Sequence, residues 1–283
     1  MTTGISSAQA ERSEAEALYD FETGAPAHVR AALGMEALRV GGGVALSVRE
    51  DPTQFWSKGL GFGADEPITA ELMEGICDFY RTQRSTVAVL QLAPSVVPAD
   101  WDEICAKENI TAGSAWVKLV GDIDTALARV EQHAPLAPEL RVGPVTLGDA
   151  SEWASVMLRV FEMPEQHLAE MVAASAERPG WHPYAVWQGE EIVATATMHV
   201  HGDAAQFFGG ATMPSARRKG AQTALLAARA KAAQAAGCRW LVAETGAEQP
   251  GEHNSSLHNM LRTGFDVLYE RRNWIWRPDT SGQ

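Results

Sequence analysis

Three β-rich runs follow one another in the second half of the chain: HPYAVWQG (182–189), EEIVATATMHVHG (190–202) and AAQFFGGAT (204–212). Short polar turns with Gly189 and Gly202-Asp203 join them, which predicts a meander of antiparallel strands. The next stretch, RRKGAQTALL (217–226), opens an alanine-rich segment that runs to Gly237. Its Ala221, Ala224, Leu225, Ala228, Ala232 and Ala235 recur at spacings of three and four, predicting a helix with one buried face. CRWLVAETG (238–246) then reads as a buried strand.

The loop before the helix is the chemically marked part. A helix N-terminus presents unpaired N–H groups and roughly half a positive charge. Gly220 allows a tight turn and close approach of a ligand, and Arg217, Arg218 and Lys219 add full charges. Together they suit a phosphate or pyrophosphate. A solvated basic turn that merely starts a helix is the alternative for an isolated RRKG. The spacing is not that of a Walker A loop, which needs a second glycine followed by Lys and Ser/Thr. Nor is it a GxGxxG opening a parallel βαβ unit.

These cations stand out because the formal net charge is −13. Residues 1–140 hold 10 Lys and Arg against 21 Asp and Glu, whereas residues 141–283 hold 13 against 15. No nucleic-acid partner is expected, since phosphate contacts need a basic face. No apolar run nears the length of a membrane span, and MTTGISSAQAERSEAEAL lacks the basic-then-apolar pattern of a signal segment. Cys77, Cys105 and Cys238 are widely spaced and odd in number, which argues against a disulfide framework and fits a reducing cytoplasm. A length of 283 residues predicts two domains. HAPLAPELRVGP (133–144), interrupted by Pro135, Pro138 and Pro144, marks the expected boundary between residues 1–135 and 141–283.

Ahead of the meander, TLGDASEWASVMLRVF (146–161) and MPEQHLAEMVAASAE (163–177) read as helices, the second with Pro164 in its first turn. Behind the buried strand, SSLHNMLRT is a short helix with Asn254 or Ser255 as N-cap and Gly264 as stop. FDVLYERRNWIW (265–276) closes the chain as one or two strands.

PSARRKGAQTALL resembles motif A of the GNAT superfamily of acyl-CoA-dependent N-acetyltransferases, Arg/Gln-x-x-Gly-x-Gly/Ala. Arg217 falls on the first position and Gly220 on the second, while Gln222 stands where Gly or Ala is usual. NSSLHNMLRTGF resembles the family's Asn-led helix ending in Gly-Phe, and the order of elements agrees over residues 141–283. The resemblance implies an α/β (α+β) fold with a mixed, splayed β-sheet flanked by helices, acetyl-CoA as co-substrate and no metal. The strands on either side of motif A then run parallel and part, leaving a slot for pantetheine beside Ala211, Thr212 and Met213, with Gly209-Gly210 in a bulge. A backbone N–H near Thr212 is expected to polarise the thioester carbonyl. The cofactor's phosphates are expected around Arg217 and on the N–H groups of Arg218, Lys219, Gly220, Ala221, Gln222 and Thr223. Asn254 matches the asparagine that contacts the cofactor. The implied reaction is direct attack by an amine of a small molecule or peptide, with no covalent intermediate.

The general base is read from position. Glu244, at the end of VAETG, can reach the slot and accept the amine proton through water; an ion pair with Arg271 or Arg272 is the alternative. His199 and His201 share a strand face and are further candidates for the base, with no third ligand evident for a metal. His253 and His258 read as capping or surface residues. Many GNAT enzymes carry a Tyr in the short C-terminal helix that protonates the thiolate. Met260 or Leu261 stands there instead, so solvent, the acceptor's own proton or Tyr269 must protonate the thiolate. That gap leaves open an acyl-CoA sensor with lapsed chemistry. Phe207, Phe208 and Met213 leave open a longer acyl group, and the oligomeric state is open as well.

The first half repeats the order. GGGVALSVRE and FWSKGLGFG read as strands, ITAELMEGICDFYRTQ as a helix with Leu72, Met73, Ile76, Phe79 and Tyr80 apolar, and STVAVLQLAP as a strand. A helix, PADWDEICAKENI, and a strand, SAWVKLVG, follow. This order again resembles a GNAT domain, but the loop before its helix is GADEPITAEL. Asp65, Glu66 and Glu71 there repel a pyrophosphate. Residues 1–135 are therefore expected to be a degenerate GNAT-like domain in tandem with a catalytic one, with an unrelated α/β lid as the alternative.

Overall fold

The computed structural model describes residues 4–130, 132 and 136–279; residues 133–135 of the expected boundary segment lie outside the described residues. The chain begins with α1 (Ser7–Thr23), α2 (Ala27–Leu33), β1 (Met35–Val40), β2 (Gly43–Val48), β3 (Lys58–Leu60), α3 (Ala70–Gln83) and β4 (Ala88–Gln91). It continues with α4 (Trp101–Glu108), β5 (Ile110–Asp122), α5 (Ile123–Val130), β6 (Leu140–Pro144), α6 (Ala150–Val160), α7 (Leu168–Ala174) and β7 (Trp181–Gln188). It ends with β8 (Glu191–His201), β9 (Ala204–Thr212), α8 (Ala221–Ala235), β10 (Trp240–Gly246), α9 (Ser255–Arg262) and β11 (Phe265–Trp276). The described residues fall into two compact units. One lies within Met1–Thr23, Ala27–Val117 and Tyr269–Gln283, the other within Gly24–Pro26 and Lys118–Leu268.

This division differs from a boundary at residues 135–141, and strand pairing gives the reason. Asn273–Trp276, at the end of β11, pairs antiparallel with β4 of the first unit. There Gln91 Nε2 donates to Asn273 Oδ1 at 2.9 Å. Lys118–Asp122, the end of β5, belongs to the second unit, where β5 neighbours β10. Part of the proline-rich segment is itself a strand: β6 pairs antiparallel with β7, Pro144 opposite Tyr184. It lies at a sheet edge, where proline's missing N–H breaks no ladder.

In the first unit β1, β2 and β3 are antiparallel, and β3 pairs parallel with β4 across α3. One face of α3 buries Met73, Ile76, Cys77 and Tyr80 in a core with Leu90, Trp101 and Trp276, while Leu72 and Phe79 are partly buried beside it. The loop before α3 is closed by its own side chains. Thr69 caps the helix by accepting from the Leu72 N–H at 3.2 Å, and Asp65 pairs with Arg12. From β11, the fully buried Arg271 forms ion pairs with Glu11 and Glu14 of α1, the second at 2.7 Å.

In the second unit β6, β7, β8 and β9 form the antiparallel meander, and β10 pairs parallel with β9 across α8. The buried face of α8 is Ala221, Leu225, Leu226, Arg229, Ala230 and Ala233, turned from the alanine stripe through Ala224, Ala228 and Ala232. An alanine-rich helix offers little contrast between its faces, so the two leucines and the partners found by Arg229 decide which side packs. Helix α7 starts at Leu168, later than Pro164 suggests, because Glu162 and His167 adopt positive φ (57° and 60°) in the preceding turn.

Candidate active site

The parallel register of β9 and β10 covers Ala204–Gln206 against Trp240–Val242. Beyond it β9 runs on to Thr212 and β10 to Gly246, so the strands part and leave a slot. Opposite β8 the register of β9 shifts: Phe208 faces Thr197 but Ala211 faces Thr195, which places Gly209 and Gly210 in a bulge. Gly209 has φ +59°, and a Cβ there would lie 2.5 Å from Met157 Cε, so a side chain would strain the backbone and displace the methionine tip.

The bulge is followed by backbone groups aimed at the slot. The Met213 N–H donates to the Val193 carbonyl of β8 at 2.9 Å. Successive amides of a strand point to opposite sides, so the Thr212 N–H faces away from β8, toward the slot. On that same side the Thr212 carbonyl accepts from Arg217 Nε at 3.4 Å. Of Ala211, Thr212 and Met213, it is Thr212 that turns its backbone to the slot, whereas the Met213 amide holds the neighbouring strand.

The chain then passes through a short 3₁₀ turn, Pro214–Ala216, and curls through Arg218 (φ +63°) and Gly220 (φ +82°) into α8. Two left-handed residues so close together draw successive N–H groups into a concavity, and the first N–H groups of α8 have no partner within the helix. A cleft of about 1700 Å³ lies at this loop, lined by Ala211 and Thr212 and by Arg217, Arg218, Gly220, Ala221 and Thr223. Lys219 turns elsewhere, pairing with Glu139 at 3.5 Å. Gln222 also lines the cleft, but its amide is tied to α9: Nε2 donates to Ser256 Oγ at 3.1 Å and Oε1 accepts from Asn259 Nδ2. That bond turns the longer side chain away from the cradle of amides.

Asn254 also lines the cleft and caps α9. Its Oδ1 accepts from the N–H groups of Ser256 and Leu257 at 3.0 and 3.2 Å, and its Nδ2 donates to Thr245 Oγ1 and the Gly246 carbonyl at 3.0 and 2.7 Å. Asn254→Ala is expected to lower the unfolding free energy by about 1–2 kcal/mol, read as a lower midpoint in denaturant at unchanged slope. An unchanged midpoint would show that the cap does not hold α9. Beside it Glu248 accepts the Asn254 N–H at 2.6 Å and lies 3.0 Å from His258 Nε2. The Asn254 N–H, and then His258, hold the Glu248 carboxyl below its ordinary pKa.

Glu244 stands near the end of β10 and pairs with Lys118 Nζ of β5 at 3.8 Å; the lysine side chain is fully buried and that of Glu244 is 8% exposed. The arginines expected as its alternative partners make other bonds, Arg271 to Glu11 and Glu14, and Arg272 to the Gly113 carbonyl at 3.1 Å. His199 is buried against Trp181, ring centroids 4.8 Å apart, and His201 is exposed at the end of β8. On α9 Met260 is buried and Leu261 half-buried. The Tyr269 hydroxyl donates to Glu11 at 2.6 Å, and burial, reinforced by Glu11, pushes the phenol well above its ordinary pKa.

One residue of the site had not been read from the sequence. Arg229, buried in α8, donates to the carbonyls of Leu225 (3.2 Å), Thr197 (3.0 Å) and Phe208 (3.3 Å) and lies 4.1 Å from the Phe207 ring centroid. Thr197 and Phe208 are the pair next to the bulge, so a cation from the helix braces the strand that carries Thr212. Burial lowers its pKa to about 9, which still leaves it charged at neutral pH. An arginine interrupting QTALLAARAKAAQA was the available signal.

Residues 146–249 match the family profile described as an acetyltransferase (GNAT) domain. Comparison with curated proteins gives no match. Among solved structures, a GCN5-related N-acetyltransferase from Kribbella flavida superposes with a TM-score of 0.64 at 15% identity, over 98% of this chain and 97% of its own. A tandem GNAT protein from the clavulanic acid biosynthesis pathway superposes with a TM-score of 0.60 at 12% identity, over 95% of this chain and 97% of its own. A GCN5-related N-acetyltransferase from Sphaerobacter thermophilus gives 0.54 at 11% identity, over 86% and 76%.

Proposed function

We propose that this chain, whose residues 146–249 are a GNAT acetyltransferase domain within a GNAT fold, transfers an acetyl group from acetyl-CoA to a primary amine by direct attack. The observation that carries this reading is the parting of β9 and β10 beside the cradle of amides before α8. Residues 141–283 would provide the site. In residues 1–135 the corresponding loop carries Asp65 and Glu66, and its helix is capped by Thr69, so that half acts as a degenerate partner.

The N–H groups from Gly220 to Thr223, with Arg217 and Arg218, would hold the phosphates of the co-substrate. The Thr212 N–H is a donor for an acyl oxygen that gains negative charge. Glu244, paired with Lys118, would take the amine proton through water. Among the described residues no helix is long and apolar enough to cross a membrane. Three buried free cysteines are in keeping with a cytoplasmic setting. The acceptor would be a small molecule or a peptide. Thiol release from acetyl-CoA, screened against amino acids, polyamines, aminoglycosides and peptides, tests the reading. Release that depends on one amine class supports it, and silence throughout, with acetyl-CoA still bound, would favour a sensor.

Solvent would supply the proton to the departing thiolate, because Met260 and Leu261 offer none and the Tyr269 hydroxyl is engaged with Glu11. Tyr269→Phe is accordingly expected to lower turnover by less than about tenfold, under 1.4 kcal/mol of barrier. A loss of several hundredfold with folding and acetyl-CoA binding intact would restore the phenol as the acid.

A further inference from the structure

The loop between β10 and α9 brings together three side chains for which the proposed chemistry has no use. Glu248 follows β10, His253 precedes the cap of α9, and His258 sits one turn inside the helix. One donor atom from each lies within 4.8 Å of the others. Glu248 Oε1 is 3.0 Å from His258 Nε2 and 3.8 Å from His253 Nδ1, and the two imidazoles are stacked with centroids 4.5 Å apart.

We infer that Glu248, His253 and His258 form a binding site for a divalent transition-metal ion of the Zn²⁺ type on the rim of the cleft. Two imidazoles and a carboxylate are a donor set that Zn²⁺ accepts, with a fourth position left to water. Metal–ligand bonds of about 2.0–2.1 Å in a tetrahedron set donors about 3.4 Å apart. The observed 3.0 and 3.8 Å bracket that value, so small rotations of exposed rings close the site. The side chains are 67% (His253), 46% (His258) and 29% (Glu248) exposed, which gives the ion a way in. Glu248 Oε1 also accepts the Asn254 N–H at 2.6 Å, a hydrogen bond that fixes the position of this oxygen. Because the ligands come from both the loop and the helix, a bound ion would fasten the loop to α9.

The site needs no acetyl-CoA, so its test is separate from the acetyl-transfer reading. The full chain, tag-free and stripped of metal, is titrated with Zn²⁺ by calorimetry and with Co²⁺ by visible absorption, and its Tm is measured with and without Zn²⁺. The expected result is one site per chain with Kd of about 1–10 μM, a Co²⁺ ligand-field band, and a higher Tm with Zn²⁺ because ligand binds the folded state. His253→Ala and His258→Ala should each weaken Zn²⁺ binding by at least about tenfold, roughly 1.4 kcal/mol, while His201→Ala leaves it unchanged. No saturable binding below about 1 mM, or equal binding in the two ligand variants, would overturn the inference.

Discussion

Gly220→Val is expected to weaken acetyl-CoA binding by about 10²-fold or more, roughly 2.7 kcal/mol, as measured by calorimetry on the intact chain. Gly220 sits at φ +82° as the residue that caps α8, a backbone region that a β-branched side chain enters only at a cost of about 1–3 kcal/mol. Valine would either strain that turn or flip it, and either outcome disperses the amides that Arg218 and Gly220 now converge. Its methyl groups would also stand where, on the proposed reading, a phosphate oxygen would approach the backbone. Gly220 is only partly buried, so the core is untouched and the fold is expected to persist. Gly220→Ala, lacking the branch, should fall between the two. If the valine variant bound acetyl-CoA like the parent, the loop would not be the phosphate cradle.

Glu244→Gln is expected to lower turnover by about 10²- to 10⁴-fold while leaving acetyl-CoA affinity nearly unchanged. Glutamine keeps the volume and one carbonyl oxygen but cannot accept a proton. The pairing with buried Lys118 raises a rival explanation, that Glu244 serves to neutralise the lysine. The two roles separate by readout. A neutralising residue moves stability and leaves the pH–rate profile in place, whereas a base removes the limb of that profile on which the rate rises with pH. Turnover within about threefold of the parent, with the profile intact, would pass the role to His199, His201 or an ordered water.

Much of the second unit was legible because its signals are local. Alternation with glycine turns gave the meander, Gly237 gave the end of α8, and RRKG gave the turn that opens it. What could not be read depends on partners distant in sequence. Pairing of Asn273 with Gln91 puts the end of β11 in the first unit, and no local pattern encodes that choice. Arg229 interrupts an alanine helix, and two of its acceptors, the Thr197 and Phe208 carbonyls, come from strands distant in sequence. Lys219 belonged to the cation cluster by sequence and leaves it in space for Glu139. His253 and His258 are exposed, as a surface reading expects, but their convergence with Glu248 depends on the path of the loop between β10 and α9.

Hydrogen exchange of the intact chain, with and without acetyl-CoA, tests the central claim most directly, since it reports which amides meet the co-substrate. Slowed exchange is predicted for Gly210–Thr212 and for the run from Arg218 to Thr223, with residues 63–72 of the first unit unchanged. Protection at residues 63–72, or none between Arg218 and Thr223 in a chain saturated with acetyl-CoA, would contradict the account.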